Sequence, residues 1–140
     1  MTPLELDHLT KLSQAQQDAD AAKLRAIHSE EQRIRSQLAA LDATHDSARD
    51  LPALETLQQR RVGGDLLWQR WIGRRRRELQ MQLARCLARK GTARRHLQKS
   101  FGKSSALQKL KTNAQTREDH ATNTRRFEAM TQIGVLLQSK

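Results

Sequence analysis

The residues able to carry out acid–base, metal or nucleophilic chemistry are few, and their spacing does not bring them together. The five histidines form no i, i+4 pair with another histidine or with cysteine, and none lies in a His-Glu-x-x-His pattern. The neighbouring carboxylates Glu30–Glu31 and Glu118–Asp119 would point apart on a helix, so neither pair can share an acid–base step. The sequence therefore predicts a protein that is not an enzyme, with no metal site and no cofactor.

The single cysteine, Cys86, excludes an internal disulfide framework and has no C-x-x-C spacing for a metal. It falls among apolar residues that recur at helical spacing. Two interpretations remain open, a buried thiol without a reaction and a reactive one, and the position favours the buried thiol.

A concentration of positive charge is the most informative chemical feature. Eleven basic residues lie between Arg70 and Lys99, against the single acid Glu78. With one acid in this stretch, most of the basic residues have no opposite charge nearby on the same helix and repel one another. This charge distribution favours binding to an anionic partner over a face that is only solvated. The partner-binding candidates are Trp68, Trp71, Ile72, Arg74, Arg75, Arg76, Arg77, Arg85 and Arg89. The partner is either nucleic acid, whose phosphates a basic helix can follow, or an acidic protein surface.

Composition predicts that helices position these residues. Ala, Leu, Gln, Arg and Lys are abundant, while two prolines, two valines and four isoleucines leave little material for strands. Apolar and small residues recur at heptad-like steps in both halves of the chain. In the first half they are Leu6, Leu9, Leu12, Ala19, Leu24, Ile27, Ile34, Leu38 and Leu41. In the second half they are Ile72, Leu79, Leu83, Cys86, Ala93, Leu97, Ser100, Ser104 and Leu107.

The predicted fold is all-α, a long antiparallel two-helix coiled-coil hairpin forming a single domain over residues 1–140. Thr2, Pro3 and Glu5 have the pattern of a helix start, and the first helix covers about 3–49. Pro52 and the Gly63–Gly64 pair place a linker at about 50–65, and the second helix covers about 66–138. We expect residues 24–41 to pack against residues 79–97 in antiparallel order.

Neither a membrane span nor a secretory signal is predicted. No apolar run approaches the ~20 residues that a spanning helix requires. The first residues lack the basic and apolar regions of a signal peptide. We therefore expect a cytoplasmic protein with no direct membrane insertion.

The layout resembles the FliJ family, the coiled-coil stalk of the flagellar type III export apparatus. The resemblance rests on a helix of about fifty residues, a break, the restart "LLWQRWIGRRRRELQMQLARCLARK" and the later "LQKSFGKSSALQKLK". Trp71 and Ile72 match an aromatic-aliphatic pair that in the family contributes to export-gate binding. In the next turns Arg75 and Glu78 stand where the family has apolar residues.

The resemblance implies a hairpin similar to the γ subunit of rotary F-type ATPases. Such a stalk inserts into a hexameric export ATPase, stimulates it and links it to the cytoplasmic domain of the export-gate membrane protein. It also implies handling of export chaperones and a location in the cytoplasm beside the inner-membrane export apparatus. Two alternatives stay open, a basic helical nucleic-acid-binding protein and a plain coiled-coil scaffold.

Overall fold

The computed structural model describes residues 2–49 and 63–139, and these residues form two long helices. Helix α1 spans Pro3–Arg49 and helix α2 spans Gly64–Gln138. The helices pack against each other and no strand is present in the described part of the chain, so the prediction of an all-α antiparallel helical hairpin is confirmed. Most of the predicted linker, residues 50–62, lies outside the described residues.

Local sequence features explain where each of the two helices begins. The Thr2 backbone N–H donates to Glu5 Oε2 at 3.0 Å, and the Glu5 N–H donates to Thr2 Oγ1 at 3.3 Å. This reciprocal pair is a capping box, and Pro3 occupies the first helical position. Before α2, Gly63 has a φ of 72°, which glycine adopts without a steric penalty. The helix follows at once, two residues earlier than the sequence indicated.

Contacts divide the chain into two units, with boundaries after Ala19 in α1 and after Leu97 in α2. The unit formed by residues 20–97 holds the apolar core. Its buried members are Ile34, Leu41, Ile72, Leu79 and Cys86, with Ile27, Leu38, Trp68 and Leu83 packed against them. The predicted antiparallel packing is confirmed for these positions, and Leu24, Ala93 and Leu97 are half-buried.

Ion pairs between the helices border this core and follow the same antiparallel order. Arg76 Nη2 lies 2.6 Å from Asp42 Oδ1, and Lys90 Nζ lies 2.6 Å from Glu31 Oε2. The later residue of α1 thus meets the earlier residue of α2. Apolar burial supplies the attraction between the helices, and these pairs fix their register.

The unit formed by the first part of α1 and the second part of α2 has a polar interface. Ser100 and Ser104 are buried, Ser104 Oγ donates to Gln14 Oε1 at 3.3 Å, and Lys111 Nζ lies 2.8 Å from Asp7 Oδ1. Leu6 is the buried apolar residue that α1 contributes here.

The sequence pattern misplaced three residues of α1. Leu9, Leu12 and Ala19 were expected in the interface, but all three are exposed. The residues that do face α2 succeed Leu6 at alternating steps of four and three, and they are Thr10, Ser13, Gln17 and Asp20. In a two-helix coiled coil the same heptad positions face the partner along the whole helix. They do so even where these positions hold polar residues.

Helix α2 continues beyond the last residue that it shares with α1. Lys111 is half-buried beside Asp7, and every residue from Thr112 to Ser139 is exposed. We call residues 112–138 the C-terminal extension. It is helical throughout, as the sequence predicted. At ~1.5 Å per residue it is roughly 40 Å of helix without a partner from this chain's described residues.

Candidate interaction surfaces

The side chains that could bind a metal do not cluster in the described part of the chain. No cluster of three or more His, Cys, Asp or Glu side chains suited to a metal occurs within residues 2–49 and 63–139. Cys86 is fully buried, and its thiol lies 3.5 Å from the backbone carbonyl of Ile27. The buried position predicted for this thiol is confirmed, and structural cysteines in buried positions are unreactive.

The adjacent carboxylates Glu30 and Glu31 hold the two helices together. Glu31 is buried and accepts hydrogen bonds from Lys90 Nζ and from Arg35 Nε, the latter at 3.0 Å. Glu30 Oε1 accepts from Arg89 Nη2 at 2.8 Å. The hydrogen bond from Lys90, and then that from Arg35, lowers the pKa of Glu31, while the hydrogen bond to Glu30 raises the pKa of Arg89. Both carboxylates therefore have structural roles.

The two tryptophans and Ile72 separate into buried and exposed residues. Ile72 is 2% exposed and belongs to the core, so its side chain is not available at the surface. Trp68 is half-buried against the same core. Trp71 is 47% exposed and stacks on Trp68, with ring centroids 5.4 Å apart and an interplanar angle of 18°. Of the three, Trp71 is the residue with aromatic surface to offer a partner.

The six candidate arginines also separate into two groups. Three of them have acidic partners: Arg75 with Glu78, Arg76 with Asp42, and Arg89 with Glu30. Arg74, Arg77 and Arg85 have no carboxylate partner among residues 2–49 and 63–139, and Arg77 Nε donates instead to the Gly73 carbonyl at 3.2 Å. The arginine run is therefore half structural and half available for binding.

The available arginines share one side of α2 with residues that the sequence analysis did not select. This surface faces away from the core, and we call it the outer face. Its members are Leu66, Leu67, Arg70, Arg74, Arg77, Met81 and Arg85. Leu66, Leu67 and Met81 are 55%, 65% and 57% exposed. The sequence could have predicted this face, because its members lie on the opposite side of the helix from the buried residues Ile72 and Leu79.

A second exposed surface, on the C-terminal extension, was also missed as a site. Phe127, Met130, Ile133 and Leu137 follow one another at steps of three and four, which places them on one side of the helix. Their side chains are between 58% and 73% exposed. The sequence signal was the apolar spacing of these four residues, which continues the helical pattern beyond Lys111, the last residue of α2 paired with α1.

Comparison with known proteins finds no family model, no curated protein and no solved structure that matches this chain. The relation to the FliJ family therefore stays a prediction from the sequence pattern. Neither described helix contains a segment that is both long and apolar enough to cross a bilayer.

Proposed function

We propose that the chain is the coiled-coil stalk of a flagellar or type III protein export machine. In this role it inserts into a hexameric export ATPase, stimulates ATP hydrolysis and connects the ATPase to the export-gate membrane protein. The same stalk handles export chaperones. It acts in the cytoplasm, peripheral to the inner-membrane export apparatus.

The C-terminal extension is the observation that carries this proposal. A helix of roughly 40 Å that has no partner among residues 2–49 and 63–139 is the element best suited to enter a central channel, because a lone helix is only ~10–12 Å wide. Its apolar side chains Phe127, Met130, Ile133 and Leu137 would contact the channel wall. A contiguous row of exposed apolar side chains is a feature of protein interaction sites.

Trp71 is the residue we assign to the export gate. It is exposed, and its stacking on Trp68 fixes the ring before any partner binds. Rigid aromatic anchors of this kind often dominate interface energies. Ile72, the other member of the family pair, supports this contact from the core and does not touch the gate directly.

Binding of the purified chain to a hexameric export ATPase tests the proposal. The double variant Ile133→Asn with Leu137→Asn removes apolar surface from the C-terminal extension, whereas Leu110→Asn makes the same change at a residue of α2 that is 53% exposed outside it. Light scattering after size exclusion measures complex formation. We expect a complex with the wild type and with Leu110→Asn, and a binding constant weakened at least tenfold in the double variant.

Two results would reject the export role in this experiment. One is the absence of any complex with the wild-type chain. The other is binding of a DNA or RNA duplex under the same conditions together with failure to bind the ATPase, which would favour the nucleic-acid alternative.

A further inference from the structure

The outer face of α2 combines two properties that the export role does not explain. Four arginines on it, Arg70, Arg74, Arg77 and Arg85, have no acidic partner in the described part of the chain. The same face carries Leu66 and Leu67 before the arginines and Met81 among them, and the three side chains are more than half exposed. All seven residues belong to the unit formed by residues 20–97.

Within residues 2–49 and 63–139, no acidic residue pairs with the four arginines of this face. Glu78 is the one carboxylate in the stretch from Arg70 to Lys99, and Arg75 Nη1 holds it at 3.2 Å. Among the carboxylates of α1 in this unit, Asp42, Glu30 and Glu31 pair with Arg76, Arg89 and Lys90. The charge of the outer face therefore remains available to an anion outside the chain.

The exposed apolar residues decide which anionic partner fits. A nucleic-acid backbone offers phosphates to the arginines but gives leucine and methionine side chains no apolar environment. The surface of an anionic bilayer offers both, because basic side chains meet lipid phosphates while apolar ones enter the boundary between headgroups and acyl chains. The outer face is the side of a single helix, and such a helix can lie flat along a membrane surface.

We propose that the outer face of α2 binds the surface of a bilayer containing anionic phospholipids. The helix lies along the surface, Leu66, Leu67 and Met81 enter the headgroup region, and the four arginines bind phosphates. This is a peripheral contact and involves no membrane-spanning segment. It does not depend on the export role.

Vesicle sedimentation of the full-length chain tests the proposal. The vesicles are made of phosphatidylcholine with phosphatidylglycerol, or of phosphatidylcholine alone. Because the net charge of +11 attracts the whole chain to any anionic surface, matched variants are essential. An arginine variant changes Arg70, Arg74, Arg77 and Arg85 to Gln, and an apolar variant changes Leu66, Leu67 and Met81 to Ser.

The control variants make changes of the same kind on the C-terminal extension, which has three exposed arginines, one fewer than the outer face, and exposed apolar residues. One control changes Arg117, Arg125 and Arg126 to Gln, and the other changes Met130, Ile133 and Leu137 to Ser. All substituted positions are exposed, so circular dichroism should be the same for every variant.

We expect binding to the phosphatidylglycerol vesicles and little to phosphatidylcholine alone. The arginine variant should bind roughly six hundredfold more weakly, at about fivefold per arginine, and the apolar variant at least tenfold more weakly. The controls should stay within about threefold of wild type.

The proposal is wrong if the wild type does not bind anionic vesicles, or if it binds both vesicle types equally. It is also wrong if the apolar variant binds as wild type does, since charge alone would then account for binding. Greater loss in the controls would move the membrane contact to the C-terminal extension. Loss of ATPase binding by the arginine variant, with vesicle binding unchanged, would assign the face to an acidic protein surface.

Discussion

At the scale of single residues, Trp71 and Ile72 show how neighbouring side chains take different roles. They are adjacent in the sequence, yet Ile72 is 2% exposed and Trp71 is 47% exposed. Consecutive helical residues differ by ~100° in direction, so one faces the core and the next lies at its border. A sequence pattern that treats the pair as one binding motif cannot separate a core residue from a surface residue.

Alanine substitution should separate the two roles. Trp71→Ala should lower the free energy of unfolding by no more than about 1 kcal/mol and weaken export-gate binding by ~2 kcal/mol or more, roughly thirtyfold. Ile72→Ala should destabilise the protein by about 2–5 kcal/mol because it leaves a cavity in the core. Chemical denaturation and gate binding measured on the same preparations test this. If Trp71→Ala unfolds the chain as severely as Ile72→Ala does, Trp71 is a core residue.

The carboxylates between the helices predict how stability depends on pH. Hydrogen bonds from Lys111 and Lys11 lower the pKa of Asp7 from 3.8 to about 2, and Lys90 and Arg35 lower that of Glu31 from its ordinary value of 4.5. A lowered folded-state pKa means that the unfolded chain takes up protons first. Their stabilising contribution is therefore complete above about pH 4.5 and decreases as the pH falls towards 2.

Urea denaturation at a series of pH values checks this dependence. Glu31→Gln should be less stable than wild type at neutral pH and lose less stability on acidification. Glu118→Gln makes the same change at an exposed residue of the C-terminal extension and should behave as wild type. Equal acid sensitivity of wild type and Glu31→Gln would show that the Glu31–Lys90 pair does not contribute.

At the scale of the helices, a small apolar core holds α1 and α2 together in the unit formed by residues 20–97. Leu79 is 1% exposed within it, while Leu87, two turns later on α2, is 42% exposed. Leu79→Ala should cost about 2–5 kcal/mol, and Leu87→Ala less than about 0.5 kcal/mol. Thermal and chemical denaturation of both variants test the assignment. Similar losses would contradict the interface described here.

The polar interface of the other unit should open more easily than the apolar core. Ser100 and Ser104 are buried there, and Leu6 is the one buried apolar residue among the described residues of this unit. Fewer buried apolar contacts mean a lower free energy of local opening. Hydrogen exchange should therefore be faster for amides of residues 3–19 and 98–111 than for residues 27–41 and 72–90. Uniform protection across both sets would show that the polar residues pack as firmly as the apolar ones.

The sequence predicted the helix content from its composition. It predicted the pairing of the two helices from the heptad spacing of their apolar residues. The core positions Ile34, Leu79 and Cys86 followed from that spacing. Leu9 and Leu12 were placed in the interface because they are apolar, but both are exposed. The interface follows the heptad row, and the residues of α1 in that row are here Thr10 and Ser13. Polar residues give no apolar signal of their own, and the spacing placed Ser100 and Ser104 in the interface only because apolar residues flank them in α2.

The candidate site was predicted less well, for a related reason. A run of arginines shows positive charge but does not show which members pair with acids on the other helix. Asp42 and Glu30 lie 34 and 59 residues away from their partners Arg76 and Arg89. Contacts at such separations depend on the register of the two helices, which the sequence gives only to within a heptad.

At the scale of the whole molecule, the outer face of α2 and the C-terminal extension differ in charge. The chain has a net charge of +11, yet much of its acidic complement on α1 is used in pairing with α2. Positive charge therefore remains on the outer face of α2. The C-terminal extension differs from this face, because its exposed side chains include a mainly apolar row from Phe127 to Leu137. Two chemically different surfaces allow two different partners.

Stimulation of a hexameric export ATPase is the most direct test of the proposed stalk function. Initial rates of ATP hydrolysis are measured as the chain is added, with the wild type, Leu110→Asn and the Ile133→Asn, Leu137→Asn double variant. Insertion of the C-terminal extension predicts saturable stimulation by the first two, and at least tenfold more of the double variant to reach half of the effect. No stimulation by the wild type, or equal stimulation by all three, would contradict it.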